Sequence, residues 1–214
     1  MIIRYPNLSE VEELASVLFS AFYKDFSYLY GTDYEFGRKL FKNFYKKVIR
    51  EKDLRNFLVV VIDNKIIAEA HLDFEDPKLI SFFPYFLKMN LHFFRSYIKV
   101  GIKRAFKIML GMYWFFFEDF NTNSGYIKLL GVLPEYQNLK IGTKVLQVIE
   151  KITRHRHLGS MTLDVTYEDL PARHLYRKMG FTRTKDFHNS FMKYLNGIEG
   201  AISMEKRLTC ENRR

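Results

Sequence analysis

Apolar residues recur at helical spacing twice in the first fifty positions. Val11, Leu14, Ala15, Leu18 and Phe22 share one face, behind Ser9 and Glu12 at the S-x-x-E spacing of a capping box. Phe36, Leu40, Phe41, Phe44 and Val48 share a second face within 33–49, after the break at Gly31. A short strand at 2–5 precedes both helices. The period then changes. Two β-rich runs, 57–62 and 65–74, flank Asp63-Asn64 and predict a hairpin. On its second strand His71, Asp73 and Glu75 alternate with Leu72 and Phe74, so they share one face.

The last third repeats a strand–helix alternation. A strand at 126–133 leads through a polar loop at 137–140 into a helix at 142–155, whose inward face is Val145, Leu146, Ile149 and Ile152. A strand at 161–165 follows. Asp169 caps a short helix carrying Ala172, Leu175, Tyr176 and Met179 on one face, and Gly180 sits where a C-terminal glycine belongs. Strands at 181–187 and 201–207 complete the pattern. Between 77 and 120 lie Leu87, Leu91, Phe94, Ile98, Ile102 and Phe106 at helical spacing, beside a basic stripe of Lys88, Arg95, Lys99, Lys103 and Lys107. This segment reads as one or two surface helices packing an aromatic side on the core; a lid or a membrane-surface helix is the sharper alternative. The expectation is one domain over 1–208 with a helical insertion at 77–120, and a tail at 209–214.

Charge and composition narrow the function classes. Thirty-four Lys and Arg against 24 Asp and Glu give a formal net charge of +10 over 214 residues. Such a surface favours anionic partners: nucleic acid, phosphate-rich cofactors or acidic membranes. Aromatic residues make up 17%, which calls for a large aromatic core or a greasy pocket, and a homodimer interface would also absorb them. The lone Cys210 cannot form an internal disulfide, so the fold needs no oxidising compartment. No secretory signal is visible, and the uncharged stretches at 79–87 and 108–117 fall short of the ~20 apolar residues of a spanning helix. A soluble, cytoplasmic protein is expected. No Cys/His cluster has zinc spacing, and His155 and His157 stand two apart at a helix end, so no metal is expected.

The run LLGVLPEYQNLKIGTKVL places a strand, a tight loop and a helix start in succession. Backbone amides and a helix N-terminus converging on one point suit a phosphate. Neither the G-x-x-x-x-G-K-[ST] loop nor a G-x-G-x-x-G after a strand is present. The sequence instead resembles the GNAT superfamily of acyl-CoA-dependent N-acyltransferases. That family carries Q/R-x-x-G-x-G/A after a V-x-P-E-Y-like run, and this chain has Val132-Leu133-Pro134-Glu135-Tyr136, then Gln137-Asn138-Leu139-Lys140-Ile141-Gly142. The downstream family pattern N-x-x-A-x-x-L-Y-x-x-x-G-F is matched by Asp169, Ala172, Leu175, Tyr176, Gly180 and Phe181. The resemblance covers most of the chain outside 77–120. It implies an α/β (α+β) fold: a central mixed, mostly antiparallel twisted sheet of six or seven strands flanked by helices, with a helical insertion between strands 3 and 4.

The resemblance also implies an activity, N-acetyl transfer from acetyl-CoA directly to a primary amine of a small molecule or protein, without a covalent enzyme intermediate. Gln137, Leu139, Lys140, Ile141, Gly142 and Thr143 would bind the CoA pyrophosphate. Leu130 and Val132 would pair with the pantetheine arm. Asp169 stands where the family has an asparagine contacting that arm, and Tyr176 where it has a tyrosine serving the departing thiolate. Two departures stand out: Lys140 replaces a glycine, and Asp169 replaces the asparagine. They motivate the alternative of a catalytically inactive acyl-CoA-binding sensor with the same fold.

The chemistry of amine acylation needs a base, because an alkyl ammonium of pKa ~10.4 must lose a proton before it attacks. Many relatives use a strand glutamate, where this chain has Tyr126. The candidates are His71, favoured for its pKa range, with Glu69, Asp73, Glu118 and Asp119 behind it. Tyr176 reads either as a core tyrosine or as the thiolate's proton donor. In the insertion, Phe82, Phe83, Phe94, Trp114 and Phe116 would wall the acceptor site. Nucleic acid is not expected as a partner. A membrane-surface contact through the insertion is compatible with its basic stripe.

Overall fold

The period-2 segments form seven strands: β1 (Ile2–Arg4), β2 (Phe57–Ile62), β3 (Lys65–Asp73), β4 (Ser124–Val132), β5 (Ser160–Thr166), β6 (Thr182–His188) and β7 (Gly200–Arg207). They build one mixed sheet in the order β1-β2-β3-β4-β5-β7-β6, antiparallel throughout except for the parallel β4–β5 pair. The computed structural model describes residues 1–74, 101–103, 106, 123–188, 193 and 198–208. The insertion's aromatic residues Phe82, Phe83, Phe94, Trp114 and Phe116 lie outside the described residues, as do Glu75, Glu118, Asp119 and Cys210.

The β2–β3 hairpin turns on Asp63 and Asn64, with φ of 48° and 60°. Two successive positive φ values are what a two-residue type I′ turn demands, and Asp and Asn tolerate them without glycine. Helix α1 (Val11–Ala21) starts differently from the sequence expectation. Ser9 falls inside a 3₁₀ turn, Leu8–Glu10, and the reciprocal cap is made by Asn7 and Glu10, with the Asn7 amide donating to Glu10 Oε2 at 2.7 Å. Glu12 instead reaches Lys46 Nζ at 2.6 Å, tying α1 to α3 (Tyr34–Val48). At Phe22 the backbone leaves the helical region (φ −112°), so a separate helix α2 (Tyr23–Tyr30) follows, ended by Gly31 at φ 94°. Asp33 caps α3, accepting from the Phe36 amide at 3.0 Å.

The aromatic excess is used here. Phe19 of α1, Phe26 of α2 and Phe41 of α3 pack ring on ring, with centroids 5.5 Å (Phe19–Phe26) and 4.7 Å (Phe26–Phe41) apart. This three-helix layer covers one face of the sheet. Helix α4 (Ile141–His155) covers the other through Val145, Leu146 and Ile149, which are fully buried. It also makes the crossover that a parallel β4–β5 pair requires. Helix α5 (Leu170–Lys178) is capped by Asp169 and closed by Gly180 at φ 89°.

One irregularity decides which side chains meet. The β3–β4 register pairs His71 with Leu129 but Leu72 with Ile127, so Lys128 is the extra residue of a β-bulge. The bulge inverts the alternation along β4. A Cβ on Gly125 would meet Thr153 of α4, whereas one on Gly131, six residues on, would meet Ala21 and Phe22. Tyr126 therefore shares the α1/α3 face with Leu129, Gly131, Glu69, His71 and Asp73. Among the described residues no helix is long and apolar enough to cross a membrane.

Candidate active site

β4 and β5 pair only from Ser124 with Ser160 to Ile127 with Leu163. Both strands continue, β4 to Val132 and β5 to Thr166, so they fork. The fork opens into a groove of about 570 Å³. Leu130, Gly131 and Val132 form one wall. Thr166, the α5 cap Asp169 and the α5 residues Ala172, Leu175 and Tyr176 form the other, and the α1–α2 junction closes over them with Phe22, Lys24 and Asp25. Beyond Ile127 the edge of β4 that faces β5 has no β5 ladder. Such an edge can pair with an extended chain.

The start of α4 forms the groove's end. Its first intrahelical hydrogen bond runs from the Lys144 amide to the Lys140 carbonyl, 3.1 Å. The amides of Ile141, Gly142 and Thr143 precede it and have no intrahelical acceptor. No acidic side chain occupies the first turn, and no side chain caps it. The geometry suits an anion. Lys140, in place of a glycine, adopts φ 60°, ψ 17°. This is the left-handed conformation that glycine reaches without strain and a lysine reaches at a cost of about 1 kcal/mol. The lysine thus keeps the loop's shape and adds a cation at its mouth. Lys140→Gly should raise the melting temperature while weakening binding of a phosphate-bearing ligand a few-fold; a lower melting temperature would contradict the strain.

The sequence-level site residues largely converge. Leu130, Val132, Gln137, Lys140, Ile141, Gly142, Thr143, Asp169 and Tyr176 all line the groove. Two depart from their expected parts. Leu139 is 60% exposed and outside the lining. Gln137 directs its donors into the protein: its amide to the Pro134 carbonyl at 3.2 Å, and Nε2 to the Val132 carbonyl at 3.2 Å. It braces the loop against β4, which leaves phosphate contacts to the helix start. Among the described residues no cluster of His, Cys, Asp or Glu could hold a metal.

A family model described as the Acetyltransferase (GNAT) family matches residues 16–181. The chain belongs to this family. It is 30% identical over 78 residues to N-alpha-acetyltransferase 30 of Schizosaccharomyces pombe (strain 972 / ATCC 24843), a match covering 36% of this chain and 50% of that protein. The chain thus spans about half the length of this curated relative. Its fold is that of PaiA N-acetyltransferase from Thermoplasma acidophilum, solved in complex with coenzyme A (TM-score 0.59, 17% identity, 97% of this chain and 98% of that one). It is also that of a ribosomal-protein-alanine N-acetyltransferase from Brucella melitensis (TM-score 0.55, 12% identity, 97% and 100% covered).

Within this GNAT framework Tyr176 is buried, with its ring tilted edge-on to Phe181 at 5.8 Å. Burial, and then the Asp169 charge, push its pKa well above that of a free tyrosine. At neutral pH the group is a phenol that can donate. Asp169 is engaged in capping α5, accepting from the Ala172 amide at 3.0 Å. Across the groove the Asp25 pKa is raised by burial against the pull of Lys24, with Asp169 and Glu168 adding to the rise.

His71 does not line the groove. Its ring stacks on Phe57 with centroids 4.2 Å apart, and burial, then the Lys128 charge, push its pKa well below the ordinary imidazole value. Both facts weaken it as a proton acceptor. Its neighbour on the same face, Glu69, is fully buried and accepts from the Tyr45 hydroxyl at 3.1 Å. Sequence reasoning missed the group at the closed end of the fork. There the Tyr126 hydroxyl donates to Asp164 Oδ2 at 2.9 Å, and Ser203 Oγ donates to Asp164 Oδ1. The only sequence signal was a charged residue on the polar side of an alternating and otherwise uncharged strand, S-M-T-L-D-V-T.

Proposed function

We propose that this chain transfers the acetyl group of acetyl-CoA directly to a primary amine on a small molecule or peptide, through a ternary complex. The observation that carries this reading is the β4–β5 fork, which presents a strand edge, an uncapped helix start and a buried tyrosine along one groove. The pyrophosphate would sit on the amides of Ile141, Gly142 and Thr143, with Lys140 beside it. The pantetheine arm would lie along Leu130 and Val132. The Leu130 amide would donate to the thioester oxygen as it gains charge, and the Tyr176 hydroxyl would protonate the departing sulfur. An amine acceptor is in keeping with the N-alpha-acetyltransferase relative.

Calorimetric titration with acetyl-CoA tests the reading. A Cβ on Gly142 would already lie 3.0 Å from Leu175 Cδ2, and a longer acidic side chain would intrude on the pyrophosphate and repel it. Micromolar binding by the wild type, weakened at least tenfold in Gly142→Glu, is expected. No binding by the wild type would overturn the proposal.

A further inference from the structure

We propose that Asp164, held by Tyr126 and Ser203 at the closed end of the fork, is the subsite that receives the acceptor's ammonium and takes its proton; this rests on the acetyl-transfer reading above.

Position comes first. Ile127–Leu163 is the last rung of the β4–β5 ladder, and Asp164 is the first β5 residue beyond it. Thr166 is two residues further along the same face and lines the groove. Two residues of strand span about 6.6 Å. Asp164 thus lies one such step below the groove wall, on the face that the bulge at Lys128 also gives to Tyr126. An acceptor reaching the thioester from beneath the groove passes this carboxylate.

Chemistry comes second. Asp164 is half-buried, and its partners among the described residues are two hydroxyls. Neither carries a positive charge. The two donors fix the orientation of the carboxylate without neutralising it. A half-buried anion held in this way attracts a cation, and an ammonium is the cation that amine acetylation brings. A cross-strand staple alone would be served as well by a neutral amide at this position.

The step balances as follows. R–NH₃⁺ gives one proton to the Asp164 carboxylate. The nitrogen lone pair then forms the C–N bond at the thioester carbon. On collapse the C–S bond breaks and sulfur takes the Tyr176 proton. The surplus proton on nitrogen restores the tyrosine, and Asp164 releases its proton to water. The net reaction is R–NH₃⁺ plus acetyl thioester giving the amide, the thiol and H⁺. A carboxylate removes a proton more readily from an α-ammonium, with a reference pKa of about 7.7–8.0, than from a lysine-type one at about 10.4. The subsite therefore favours α-amines, such as a peptide N-terminus.

The test uses the full chain, acetyl-CoA and two peptides, one with a free N-terminus and one N-blocked with a free lysine. Asp164→Asn keeps both hydroxyl contacts and deletes the charge. It should bind acetyl-CoA as the wild type does, while kcat/KM for the free N-terminus falls about a hundredfold with a raised amine KM. Tyr126→Phe should lose about tenfold, and Asp164→Glu should recover part of the activity. Wild-type turnover with an unchanged kcat/KM in Asp164→Asn would overturn the inference and leave the acetyltransferase reading intact. Loss of acetyl-CoA binding in Asp164→Asn would make the residue a structural staple and overturn the inference too. Preference for the lysine peptide would overturn the α-amine assignment. A wild type that binds acetyl-CoA and acetylates neither these peptides nor a panel of small amines would overturn both readings.

Discussion

Replacing Tyr176 with phenylalanine should lower kcat about a hundredfold or more while leaving acetyl-CoA affinity and folding nearly unchanged. The ring is already in an apolar setting against Phe181, so phenylalanine refills the space. No hydrogen bond of the Tyr176 hydroxyl to the described residues would be broken, so the change leaves no orphaned partner there. What disappears is a proton donor on the groove wall. Removing a positioned general acid costs typically 10²–10⁴ in rate. The raised pKa fixes the sign of the pH behaviour: the phenol stays protonated through the neutral and mildly alkaline range, so its donor function is not lost there. Steady-state kinetics with an amine acceptor, alongside calorimetry with acetyl-CoA, checks this. A Tyr176→Phe variant with unchanged kcat would assign the tyrosine to packing alone.

A good part of the site was legible because it is local. The loop from Val132 to Gly142 and the helix from Asp169 to Gly180 each place their residues through short-range geometry, so spacing located them. The hairpin was legible for the same reason. The rest depends on contacts between distant segments. Ser9 has the spacing of a cap, but Asn7 and Glu10, the latter also held by Arg4 at 2.6 Å, take the role two residues earlier. His71 and Asp73 share a face by simple alternation, but alternation cannot say that Phe57 of β2 lies against the imidazole. The bulge at Lys128 has no sequence signature, and without it Tyr126 would be assigned to the α4 face. Asp164 meets Tyr126 and Ser203 only because β4, β5 and β7 lie side by side, a pairing set by the crossover through α4 and not by neighbours in sequence.

A Glu69→Gln variant should gain stability over the wild type as pH rises, by a few kcal/mol at pH 8.5. Glu69 stands on β3 beneath α1 and α3, fully buried, with Oε1 on the Tyr45 hydroxyl and Oε2 without a partner among the described residues. Burial raises its pKa to about 8, against the smaller opposing effect of the Tyr45 hydrogen bond. In the unfolded chain the carboxyl ionises near its reference value of ~4.3. Below that pH both states hold the proton and the residue contributes no pH dependence. Between there and about 8 the native state keeps a proton that the unfolded state has released, so wild-type stability falls with rising pH. Above about 8 both states are ionised and the deficit is constant. Glutamine does not titrate, so the gap between the two proteins should be small at pH 4.5, widen through neutrality and level off above pH 8.5. Titratable groups shared by both, His71 included, cancel in the comparison. Urea unfolding of both proteins across this range provides the measurement, and a gap that stays constant with pH would show that Glu69 is already ionised in the folded protein. Such a result would also make Glu69 a stronger candidate base than His71, because an ionised carboxylate can accept a proton that a neutral one cannot.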